Sequence, residues 1–332
     1  MPAGYEVANA SLVLPVSRTL SLPAGRSTLT VAEDGKEFIT VTGEDFVYRF
    51  NRLYGAIESM TAKGHTFLAA RTEFSTQRAP IDNYRHIKAD WVLNQDFKGE
   101  FDIHELSELR VCDYTVTERE DAIEIRFLGT LTSYSARNLI DKAEILYRVE
   151  NSGALYVSVS AERGMTLPLL PRFGMDLLLA DDKEIVTYFG LGPTENYIDM
   201  HHAAHLGLFE TTVTEMWEPY LMPQDCGLRT DTRLLSVTDK EGVGLLFLTD
   251  GAFEFATSKY DEHTVKMAKH QYELTPDGFT HVRIDYKNTG VGSNSCGPML
   301  GEKYQLCEEN FSYSFRVLPV TSKSTVADIL AR

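Results

Sequence analysis

Two carboxylates, Glu195 and Asp199, stand four residues apart in the stretch Phe189-Gly190-Leu191-Gly192-Pro193-Thr194-Glu195-Asn196-Tyr197-Ile198-Asp199. Paired carboxylates are the groups that glycoside hydrolysis requires, one as acid and one as nucleophile or base. The competing reading is structural, because carboxylates in turns commonly accept backbone N–H groups. A second polar stretch follows, Pro219-Tyr220-Leu221-Met222-Pro223-Gln224-Asp225-Cys226-Gly227-Leu228-Arg229. Neither stretch has the composition that core packing alone selects.

His201, His202 and His205 form the next candidate. Histidines at i and i+4 share a helix face and can hold a metal. Gly207 and the strand-like flanks argue against a helix here, so a solvated loop is expected. His86, His104 and His281 are scattered singly and read as packed side chains. There is no G-x-S-x-G elbow and no Walker-type phosphate loop. Gly190-Leu191-Gly192 is too short of glycines for a dinucleotide fingerprint. Trp91 and Trp217 lie in irregular segments, where each could face a sugar, a partner chain or a buried interface.

The elements that must position these groups read as strands. Phe46, Tyr48 and Phe50 alternate with Val47 and Arg49, and Ile123, Ile125 and Phe127 with Glu124 and Arg126. Leu155, Val157 and Val159 behave alike, as do Phe311, Tyr313 and Phe315. This period of two places one face in a core and the other toward water. Asp34-Gly35, Asn151-Ser152-Gly153, Asp239 to Gly242 and Pro276-Asp277-Gly278 read as hairpin turns. Helical turns are expected only near Ser135 to Leu139 and after Ser324. Frequent turns and short strands predict an all-β sandwich of long twisted sheets. Residues 1–25 differ in character and are expected to form an N-terminal arm, with Leu22-Pro23-Ala24-Gly25 as its linker. Residues 26–332 are expected to form one large domain.

The 332 residues suffice for a large core without metal or disulfide support. Hydrophobic residues make up 43% and charged ones 24%, within the range of soluble folded proteins. A net charge of −16 argues against nucleic acid and anionic membrane surfaces as partners. Cys112, Cys226, Cys296 and Cys307 form no C-x-x-C pair, so no zinc site is expected. Met1 to Val7 has neither a basic start nor an apolar run, so no signal peptide is expected, and no apolar run of about 20 residues offers a membrane span. A cytoplasmic chain with reduced thiols is the expectation.

The polar stretches together resemble one family. Phe189 to Asp199 is similar to the Gly-x-Gly-Pro-x-Glu-Asn-Tyr-x-Asp segment of the C-terminal domain of large bacterial β-galactosidases (glycoside hydrolase family 2). Pro219-Tyr220 to Arg229 resembles that domain's next segment. Phe50-Asn51-Arg52 with Gly55, and Phe74 with Arg78 to Asn83, match two segments upstream. Ile284-Asp285, Gly290-Val291-Gly292 and Ser295 to Pro298 match a loop near its end. The matches run in order across residues 46–317.

The resemblance implies a galactose mutarotase-like antiparallel supersandwich. It also implies a role as the small subunit of a two-chain β-galactosidase acting on terminal β-D-galactosides such as lactose. The partner would be a large subunit whose TIM-type barrel carries both catalytic glutamates, and any Mg or Na would be held there. No catalytic or metal-binding residue is then expected in this chain. Arg78, Asp82, Asn83, Glu195, Asn196 and Tyr197 become loop anchors, and the 1–25 arm touches the partner. Asn294, Ser295 and Cys296 are expected to line the substrate pocket. In single-chain relatives a tryptophan that stacks on the leaving-group sugar occupies the position of Cys296, and a thiol offers no aromatic face. Two rival functions remain at this point. One is a mutarotase or epimerase using His202 or His205 with Glu195. The other is a non-catalytic carbohydrate-binding module.

Overall fold

The alternating residues form strands whose inward side chains make one continuous core. The computed structural model describes residues 12, 25, 27–84, 103–105, 107–133, 138–164, 169–292 and 300–323. Among these, β1 (Thr30–Asp34), β2 (Phe38–Thr42), β3 (Phe46–Asn51), β4 (Ala56–Ala62) and β5 (His65–Thr66) form a five-stranded sheet in sequence order. The other sheet has twelve strands. These are β6 (Glu73–Ser75), β7 (Ser107–Glu118), β8 (Ala122–Ser133), β9 (Asn138–Glu150), β10 (Leu155–Arg163) and β11 (Arg172–Ala180), followed by β12 (Ile185–Gly192), β13 (His205–Thr212), β14 (Arg229–Thr238), β15 (Val243–Ser258), β16 (Phe279–Asn288) and β17 (Asn310–Thr321). Its main path runs β13-β12-β14-β15-β17-β10-β9-β8-β7, and every pairing between named strands is antiparallel.

The fold is the all-β sandwich that the sequence pattern predicts, with the large antiparallel supersandwich architecture that the resemblance implies. Tyr48, Phe50, Ile125, Phe127, Leu155, Val157, Val159 and Phe315 are all buried in one core. The five-stranded sheet packs on the large one through this core. Phe50 and Tyr147 meet at a 5.1 Å ring distance, and the Tyr147 hydroxyl donates to Gly55 O at 2.9 Å. A buried tyrosine needs such a partner for its O–H.

The large sheet divides at β15. The first part of β15, Val243–Leu248, lies between β14 and β17. Its last part, Glu254–Ser258, pairs with β16, which continues to β11 and β6. One strand of 16 residues, paired with β14 along both parts, therefore joins the main path to the β16-β11-β6 branch.

The turns at Asp34-Gly35, Asn151 to Gly153 and Asp239 to Gly242 join hairpins as expected. Two local expectations fail. Pro276-Asp277-Gly278 leads into β16 from a longer connection that contains a six-residue helix, α1 (Glu262–Met267). That helix is too short to show an amphipathic period; Asp261 caps it by accepting the Thr264 N–H at 2.9 Å. Asn138 and Leu139 begin β9 rather than a helical turn, because Leu139 enters the core. The 1–25 arm (apart from Leu12 and Gly25), the turn after Ser324, His86 and Trp91 lie outside the described residues. No helix among the described residues is long and apolar enough to cross a membrane.

Candidate functional site

Four of the motif segments, 78–83, 195–199, 219–229 and 289–292, converge at one end of the large sheet, whereas Phe50 to Gly55 lies at the β3–β4 turn, where Arg52 bonds to Glu33 and Tyr114. β12 and β14 pair from Ile185 to Phe189 and then separate. Asn196 fills the gap they leave. Its Nδ2 donates to Leu191 O and Thr194 O, both at 3.0 Å. Its Oδ1 accepts the Thr230 N–H at 3.0 Å and the Thr230 hydroxyl at 2.6 Å. A buried asparagine with both donors and two acceptor positions used replaces a stretch of missing strand ladder.

Glu195 reaches from this loop to the second polar stretch. It accepts the Tyr220 hydroxyl and the Gly227 N–H, the latter at 2.8 Å. Gly227 has φ +76°, and a β-carbon there would lie 2.6 Å from Met216 O, so only glycine suits the turn. Burial raises the Glu195 pKa above its ordinary value, against the hydrogen bonds from Tyr220 and Gly227.

Asp199 points in another direction. Its two oxygens accept the N–H groups of Val291 at 3.0 Å and Gly292 at 2.6 Å. The side chain of Asn83 donates to Val291 O, and Arg78 Nη1 donates to Thr289 O at 2.6 Å. Asp82 is exposed, and its backbone N–H faces Gln224 Oε1 at 3.4 Å. Segments 78–83, 195–199, 219–229 and 289–292 thus form one loop platform. The chain leads from it directly into Asn294, Ser295 and Cys296, which lie outside the described residues.

Beneath the platform lies a buried charge network. Tyr197 donates to Asp225 Oδ2 at 3.1 Å, and Arg283 Nη1 donates to Asp225 Oδ1 at 2.8 Å and Glu262 Oε1 at 2.7 Å. Arg172 Nη1 donates to Asp285 Oδ1 at 2.8 Å, and its Nη2 donates to both Asp176 oxygens at 2.8 and 2.7 Å. Glu254 Oε2 accepts both the N–H and the Nδ2 of Asn288. Arg78, Arg172 and Arg283 therefore pair with four carboxylates, Asp176, Asp225, Asp285 and Glu262, and Asn288 links a fifth, Glu254, to Asp285. Burial pushes Glu254 up to about 8 and Glu262 up to about 7, consistent with this excess of negative groups. A cleft of about 430 Å³ opens beside the network, with Trp217, Gln224, Tyr260 and Glu262 in its wall.

Sequence reasoning missed Arg172, Asp176, Glu254, Glu262 and Arg283. A signal was present in Val282-Arg283-Ile284-Asp285, where charges alternate with core residues. Such a pattern ordinarily marks a solvated face, whereas here both faces of β16 are covered.

The structure separates other candidates. Glu195 and Asp199 bond to different loops. His201 stacks on His202 at 4.7 Å, with its Nδ1 3.2 Å from Tyr197 O, while His205 belongs to β13 and packs on Phe209. Trp217 donates to Gln271 Oε1 at 3.0 Å and packs edge-on to Tyr260. Among the described residues no three His, Cys, Asp or Glu side chains converge as a metal site.

A profile of the family described as "Beta galactosidase small chain" matches residues 42–317. The β-galactosidase of Actinobacillus pleuropneumoniae is 32% identical over 293 residues, which is 88% of this chain and 28% of that protein. That of Staphylococcus xylosus is 32% identical over 290 residues, 87% of this chain and 28% of that protein. The chain spans under a third of the length of these relatives. Among solved structures, a galactose 1-epimerase from Lactobacillus acidophilus NCFM aligns at TM-score 0.41 and 10% identity, covering 89% of this chain and 98% of its own. An Enterococcus faecalis protein of glycosyl hydrolase family 38 aligns at TM-score 0.48 and 11% identity, covering 93% and 33%.

Proposed function

Because the chain belongs to the β-galactosidase small-chain family, we propose that it is the non-catalytic small subunit of a two-chain β-galactosidase acting on terminal β-D-galactosides such as lactose. The family match over residues 42–317 is the observation that carries this reading. The commitment of Glu195 and Asp199 to backbone N–H groups of two separate loops supports it, since a glycosidase pair must face one bond from two sides.

In this reading a large subunit with a TIM-type barrel supplies the two glutamates. One protonates the glycosidic oxygen, and the other attacks the anomeric carbon with net retention. Any Mg or Na belongs to that subunit. This chain walls the pocket: Glu195, Asn196, Tyr197, Arg78, Asp82 and Asn83 shape the platform, and Asn294, Ser295 and Cys296 lie along the sugar. Residues 1–25 reach to the large subunit, and the complex works in the cytoplasm.

The experiment is reconstitution. The purified chain, the large chain of the same organism and their mixture are assayed with o-nitrophenyl β-galactoside and lactose. Activity that arises only on mixing is expected. Hydrolysis by this chain alone, or none in the mixture, overturns the reading. Anomer interconversion by the isolated chain would support the epimerase instead.

A further inference from the structure

We infer that the turn Pro219 to Pro223, with Tyr272 beside it, is the surface on which the large subunit docks. The inference rests on the two-chain reading and adds the place of contact. Leu221 is 96% exposed, Met222 49% and Tyr272 81%, and Tyr220 is also exposed. Single exposed apolar residues are ordinary, but a local group of them marks an interaction surface.

The turn is held in place rather than left free. Tyr220 O accepts Gln271 Nε2 at 2.6 Å, and the Tyr220 hydroxyl bonds to Glu195. Gln224 bonds to the Asp82 N–H, and Cys226 Sγ accepts the Glu218 N–H at 3.4 Å. These contacts fix both ends of a short apolar ridge in one shape. Such preorganisation lowers the entropy lost on binding.

The chemistry of the occupant follows from the surroundings. Glu195, Glu218 and Asp82 flank the ridge, so its complement is an apolar pocket with a basic rim. A second copy of this chain is a poor complement, since each carries a net charge of −16. The curated relatives hold the matched region within chains more than three times its length, the region being 28% of each. The polypeptide equivalent to that remainder must meet this domain somewhere, and the loop platform carries most of the motifs that the family shares.

The test compares the wild-type chain with Leu221→Asp, and with Val47→Asp on the five-stranded sheet as a control. Binding to the large chain of the same organism is measured by isothermal titration, and oligomeric state by sedimentation. Leu221→Asp should weaken association at least tenfold with an unchanged melting temperature, because the Leu221 side chain is almost wholly exposed in its own chain. Val47→Asp should bind as the wild type does. Equal affinity of wild type and Leu221→Asp would overturn the docking surface while leaving the two-chain reading intact. A wild-type dimer that Leu221→Asp converts to monomer would reassign the ridge to self-contact and overturn the proposal. Failure of the wild-type chain to bind or activate the large chain would remove both.

Discussion

Asp199 and Gly290 are fitted to one another: a β-carbon on Gly290 would stand 2.5 Å from the Asp199 carboxylate. That closeness lets the carboxylate accept the next two backbone N–H groups, at Val291 and Gly292. A glycine in the loop is thus required by a side chain about ninety positions earlier.

Gly290→Ala should therefore displace Asp199 or the loop and cost about 1–3 kcal/mol, as overpacking of a close contact does. Urea unfolding of the isolated chain measures this. An unchanged midpoint would show that the loop yields without cost.

Asn196→Asp replaces two amide donors by acceptors opposite Leu191 O and Thr194 O. A buried group left opposing its former partners costs about 1–3 kcal/mol, and more when charged. The melting temperature should fall further than in Asn196→Ala, which removes the bonds without adding a charge. The reverse order would mean that water reaches the gap between β12 and β14.

Glu195→Gln places an amide where an anion receives the Tyr220 hydroxyl and the Gly227 N–H. Stability or association with the large chain should drop by about 1–2 kcal/mol. Turnover per intact complex should stay close to wild type. A large fall in kcat in a complex of normal stability would instead assign Glu195 to the chemistry.

Stability should depend on pH through Glu254. Its folded pKa, about 8, exceeds the ordinary carboxylate value. The native state then holds a proton that the unfolded chain releases near pH 4 to 5. Stability therefore declines as pH rises from about 5 to about 8 and levels off beyond. Glu254→Gln keeps an oxygen for both Asn288 donors and removes the ionisation. It should flatten this slope and gain about 1 kcal/mol or more at pH 8, since a tenfold difference in proton affinity between the folded and unfolded chain is worth about 1.4 kcal/mol. Denaturation series at pH 5, 6, 7 and 8 decide it, and parallel slopes for both proteins would exclude Glu254 as the source.

Cys296→Trp supplies the aromatic face that the thiol lacks. In the reconstituted complex, KM for disaccharides and for acceptor sugars should change severalfold, in line with a stacking contribution of about 1 kcal/mol. Unmoved KM values would place residues 294–296 away from the sugar.

The strands were legible because their inward residues announce themselves locally. Phe46, Tyr48 and Phe50 need no knowledge of their partners to reveal a buried face. The division of β15 was not legible: Thr249-Asp250-Gly251 interrupts its apolar residues, but a polar break of this kind says nothing of which strands the two halves pair with. The same limit applies to the site. Glu195 and Asp199 stood out as a pair, but their opposite directions depend on Gly227 and on Val291 and Gly292, which lie far along the chain. The network of Arg172, Asp176, Glu254, Glu262 and Arg283 was hidden for this reason too: each charge is tolerable only beside partners that the fold brings in.

The shared strand β15 also limits where such a protein can be divided into separate polypeptides. With one end laced to β17 and the other to β16, a cut near Asp250 would leave each fragment with an edge that the other had paired. Since β17 also pairs with β10 and β11 with β6, a gene break that yields independently folding products must spare the whole span from β6 to β17. Fragment complementation with cuts placed along that span would trace the limits of this indivisible unit.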